Sequence, residues 1–87
     1  MAGARFHESH EVGIAVGHNW TLCLQWGEYE MMDGDNPQRG YRFICRRPNG
    51  SLQSRPAVIP SVADLRQLLG MAAEGGWLGE CEEAPNG

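Results

Sequence analysis

The side chains in this chain best able to do chemistry are its arginines. Arg39, Arg42, Arg46 and Arg47 crowd together, with Arg55 a short way beyond. A guanidinium presents a planar fork that grips carboxylate or phosphate with two parallel hydrogen bonds, so such a cluster is a candidate partner-binding surface. Arg42 and Arg46 have the same parity and share a face if the segment is a strand. The simpler reading is that they pair internally with Glu28 and Glu30 on a neighbouring strand, a common way to occupy the exposed face of a sheet.

The histidines and carboxylates carry less. His7 and His10 form an H-x-x-H, and His18, Cys23 or Cys45 would be needed to complete a tetrahedral zinc site. That spacing matches no metal motif, so His7, His10 and His18 are weak metal candidates and no metal or cofactor is expected. Glu28, Glu30, Asp33 and Asp35 make an acidic patch. Calcium wants six to eight oxygens, yet Pro37 and Gln38 stand where further ligands would be needed, so the patch reads as a solvated rim. No nucleophile has a partner base in sequence context, and no glycine-rich phosphate loop joins a strand to a helix; the chain is not expected to be an enzyme.

The elements that must position these residues follow from periodicity. Val12, Ile14 and Val16 alternate with small residues, as a strand with one buried face does. Turn chemistry at Gly17-His18-Asn19 separates it from a clearer strand in which Trp20, Leu22, Leu24 and Trp26 share a face. At Gly27 the apolar parity slips toward Tyr29 and Met31, which predicts a β-bulge there or the end of the strand. The polar stretch from Asp33 to Gly40 is a loop. Tyr41 to Arg47 is the next strand, and Pro48-Asn49-Gly50 is a hairpin signal leading to a return strand at Ser51-Leu52-Gln53, which, because Pro56 removes a ladder donor, is an edge strand or bends away before Ala57-Val58-Ile59.

Ser61 then offers an N-cap, with Asp64 three residues on near the positive end of the helix dipole. Val62, Leu65, Leu69 and Ala72, widened by Leu68, form an apolar stripe. Gly75-Gly76 stops the helix, and Trp77-Leu78 is expected to fold back on its last turn. The fold class is therefore α+β: an antiparallel meander sheet of three or four strands with one C-terminal helix packed on one face. Residues 1–10 are expected to be a flexible N-terminal arm, 11–79 the single domain, and 80–87 a flexible acidic tail. Trp20, Trp26 and Trp77 are core and cover residues on this reading, since the sheet face that could stack bases must receive the helix.

The string G-Y-R-F-I-x-R-R-P-x-G-S-L-Q from Gly40 to Gln53, followed by I-P-S-x-A-D-L from Ile59 to Leu65, resembles a group of small uncharacterised bacterial proteins. The resemblance spans about residues 20–78 and implies no activity, cofactor or partner.

Composition bounds the function. Eighty-seven residues suffice for one thin-cored domain, and 41% hydrophobic with 21% charged residues is the balance of a globular chain. Net charge is −4 and all seven basic residues are arginine, which puts a nucleic-acid partner at an electrostatic disadvantage. There is no apolar run long enough for a membrane span and no apolar signal core, and three scattered cysteines suggest reduced thiols in the cytoplasm. The expectation is a non-enzymatic interaction or regulatory module whose partner is another protein. Strand-edge pairing offers a route to a homodimer. The competing classes are a metal- or small-ligand-binding domain using the histidines and a nucleic-acid binder using the arginine-rich hairpin.

Overall fold

The computed structural model describes residues 5–30, 36–53, 56–80 and 82. Gly17, His18 and Asn19 all take positive φ, at 91°, 50° and 63°, and this left-handed run reverses the chain between β1 (Arg5–Ala15) and β2 (Thr21–Glu30). The Val16 amide donates to the Trp20 carbonyl and the Trp20 amide to that of Gly17, closing the turn. β3 (Gln38–Arg46) lies antiparallel to β2 on its other side, so the strand order is β1-β2-β3. One helix, α1 (Val62–Glu74), completes the expected α+β fold.

Strand alternation divides the sheet into two faces. On one, the pairs Ile14–Leu22, Val12–Leu24, Leu24–Phe43 and Trp26–Tyr41 put apolar groups side by side. The helix lays Leu68 and Ala72 onto this face, and with Trp77 these residues form the core. Ser61 caps α1 by accepting from the Asp64 amide at 3.2 Å. Gly76, at φ 80°, turns the chain back, and the Trp77 and Leu78 amides both donate to the Ala72 carbonyl. Trp77 is thereby pressed under the helix end, stacked on His10 at 5.2 Å between ring centres, 5% exposed.

The structure corrects several details. The segment expected to be an arm is strand from Arg5 onward; it lacks an apolar period because it is an edge strand beyond the core, held by ladder hydrogen bonds and by Phe6. The flexibility expected of residues 80–87 falls mostly outside the described residues. The bulge lies in β1 between Glu8 and His10, and the register from β2 to β3 runs unbroken past Gly27. Tyr29 breaks the apolar parity because it serves the other face, where its ring meets Phe6 edge-on at 4.8 Å. Trp20 precedes β2 and stands outside the core cluster. The return strand is reduced to one bridge between Arg46 and Leu52 and a hydrogen bond from the Gln53 amide to the Cys45 carbonyl. Val62 is 61% exposed: at 3.6 residues per turn it stands about 100° from the Leu68–Ala72 centre of the buried stripe.

Candidate functional site

The face of the sheet away from α1 receives Glu11 from β1, Gln25 from β2 and Arg42 from β3, which are neighbours in one register row. Gln25 is 1% exposed and must satisfy both ends of its amide. Its Nε2 donates to Glu11 Oε1 at 2.6 Å, and its Oε1 accepts from Arg42 Nε at 2.7 Å. The carboxylate can only accept, so it fixes which way the amide points. Arg42 lies over the Phe6 ring, its guanidinium carbon 4.0 Å from the ring centre. Phe6 sits low on the sheet because Gly27 beneath it has no side chain; a Cβ there would overlap the His7 carbonyl oxygen and stand 2.7 Å from the ring.

Arg46 begins two rows further along β3 and crosses the Gly13–Cys23–Ile44 row to reach the same carboxylate. Its Nη2 stands 2.7 Å from Glu11 Oε1, its Nε 3.1 Å from Oε2, and its Nη1 donates to the Gly50 carbonyl at 3.0 Å. Nη2 also lies 4.0 Å from Glu8. The Arg46 hydrogen bond holds the Glu11 carboxyl below its usual range despite its partial burial, and the carboxylate in turn raises Arg46. Cys23, sealed beneath this bridge, is pushed up to about 11 by burial and by the negative charge of Glu11.

The arginine group is thus divided. Arg46 is internally paired, though with Glu11 in place of the expected Glu28 or Glu30. Arg47 is exposed beside the turn, where it donates to the Leu52 carbonyl at 3.3 Å and lies 6.0 Å from the Trp20 ring centre. Arg39 is exposed and lines two shallow hollows that flank Gly40. One, of about 490 Å³, is on the helix side beside Trp26, Tyr41 and Glu82. The other, of about 170 Å³, is lined by Phe6, Tyr29, Gln38 and Tyr41. Arg55 lies outside the described residues, as do Asp33 and Asp35 of the acidic patch.

The histidines do not converge. His7 Nε2 bonds Glu30 at 2.8 Å, His10 stacks on Trp77, and His18 occupies the left-handed turn. Among the described residues no group of three His, Cys, Asp or Glu side chains is placed to hold a metal. Among the described residues no helix is long and apolar enough to cross a membrane.

Sequence reasoning did not single out Glu11, Gln25 or Phe6. Once the turn at residues 17–19 is centred, counting outward from it sets Glu11 opposite Gln25, so that pair had a signal; the longer connection before β3 offers no such count for Arg42. No protein-family model matches this sequence, and comparison with curated proteins and with solved structures returned no match.

Proposed function

We propose that this chain is a non-enzymatic interaction module that works in the cytoplasm through another protein, with the face of the sheet opposite α1 as its contact surface. The observation that carries this reading is the asymmetry of the sheet. The helix covers one face, while among the described residues no element packs on the other, which presents Phe6, Tyr29 and Ile44 together with Arg42 and Arg46. Aromatic and arginine side chains on a fixed backbone are the residue types that dominate protein interfaces. The hollows are shallow and open, which suits a surface contact better than enclosure of a small substrate.

Strand-edge pairing is a weaker route to assembly. The outer edge of β1 carries a bulge at Ser9, a feature that discourages a second strand from adding there.

The test is site-specific photo-crosslinking in the native cell. A photoreactive residue at Gln38, exposed on the open face, should give a discrete protein adduct, while one at Gln67, exposed on α1, should not. Absence of an adduct from position 38, or equal adducts from both, would overturn the reading.

A further inference from the structure

We propose that Arg42 is the anchoring residue of the open face and that its ligand is a carboxylate carried by an acidic protein segment, an inference that rests on reading that face as an interaction surface. β3 and its turn carry Arg39, Arg42, Arg46 and Arg47, and the partners of the last three separate their roles. Arg46 is occupied on both sides of its fork by Glu11 and by the Gly50 carbonyl. Arg47 is tied to its own turn through Leu52. Among the described residues Arg42 makes one hydrogen bond, from Nε, and no carboxylate lies within ion-pair distance of it.

The side chain is nonetheless held in place. Gln25 Oε1 holds the Nε edge of the guanidinium, and the Phe6 ring lies beneath its central carbon. Gln25 cannot turn its oxygen away, because that would aim Oε1 at the Glu11 carboxylate. Glu11, bridged by Arg46, therefore sets the orientation of Gln25, and Gln25 sets that of Arg42. A guanidinium immobilised in this way loses little entropy on binding, and its two Nη groups are presented together to one further acceptor. The planar two-oxygen group that matches them is a carboxylate.

The surroundings favour a peptide over a nucleic acid. Next to Arg42 on the same face, Gly40 has nothing within 4 Å of where a Cβ would stand, and the hollow beside it is lined by Phe6, Tyr29 and Gln38, with room for a small apolar side chain. Arg39 adds a second positive charge at its rim.

The experiment is an anisotropy titration at low ionic strength with a fluorescein-labelled short peptide of alternating glutamate and valine. Its counterpart with glutamine for glutamate and a thymidine homo-oligonucleotide are titrated in parallel. The chain should bind the glutamate peptide and bind the glutamine version at least about tenfold more weakly. Arg42→Lys keeps the charge and loses the fork; Arg42→Gln loses both. Each should weaken binding by about tenfold or more while leaving the circular dichroism spectrum unchanged, and Arg66→Gln on the exposed surface of α1 should have no effect. No binding of the glutamate peptide, wild-type affinity in Arg42→Lys, or tighter binding of the oligonucleotide would each overturn the proposal. A crosslinked adduct at position 38 that survives Arg42→Gln would overturn this assignment while leaving the open face as the interaction surface.

Discussion

The guanidinium of Arg46 grips both carboxylate oxygens of Glu11, Nη2 at 2.7 Å from Oε1 and Nε at 3.1 Å from Oε2, across the full width of the sheet. The pair ties the two outer strands together over β2, so it acts as a strap on the open face. Its position above Cys23 and beside Gln25 makes it the organising contact of that face.

A double-mutant cycle on the strap should show coupling. The pair is partly solvated, which limits its worth, but its geometry is bidentate, so Glu11→Gln combined with Arg46→Leu should give a coupling energy of about 1 kcal/mol in urea unfolding. Additive single effects would show that the strap contributes nothing.

The strap also predicts an acid limb in the stability profile. The folded-state pKa of Glu11 is depressed, chiefly by the Arg46 hydrogen bond, so the stability it contributes is present above the ordinary glutamate value of about 4.3 and is lost as pH falls through the lower folded value. The gap in urea midpoint between wild type and Glu11→Gln should therefore be full at pH 7 and close below about pH 4. A gap that stays constant down to pH 3 would contradict the assignment.

Two strand glycines should respond in opposite ways to alanine. At Gly27 a methyl group would meet the His7 carbonyl and the Phe6 ring, and because backbone cannot move aside cheaply, Gly27→Ala should cost about 2 kcal/mol or more and displace Phe6 from under Arg42. Gly40 faces open space at ordinary φ, so Gly40→Ala should be neutral or stabilising by about 0.5 kcal/mol. Denaturant midpoints of the two variants check this directly, and equal effects would refute it.

These contrasts also show what the sequence could disclose. The helix was legible almost to the residue, since Ser61 and Asp64 mark its start and Gly75-Gly76 its end by signals that are each local. The apolar face of β2 was legible for the same reason: alternation is local. Residues 5–10 escaped notice because an edge strand outside the core needs no apolar period, only a neighbour to bond to. The division of labour between Arg42 and Arg46 was not legible at all. It depends on registers set across a connection with no fixed turn geometry, and on Glu11, whose partner lies on the far strand.

The cysteines give the last prediction, because the sheet sends adjacent rows to opposite faces. Cys23 lies under the strap at 1% exposure, its thiol raised to about 11, whereas Cys45 is half-buried on the helix side near the edge of β3. Thiolate is the species that alkylates, so at pH 8 Cys23 is disfavoured both by access and by its small ionised fraction. N-ethylmaleimide should modify Cys45 at least about tenfold faster than Cys23, as read by mass spectrometry of the separate peptides. Glu11→Ala removes the strap and the charge that raises Cys23, so it should speed modification of Cys23 while leaving Cys45 unchanged. Equal rates at the two positions in the wild-type chain would mean that the strap does not close over Cys23.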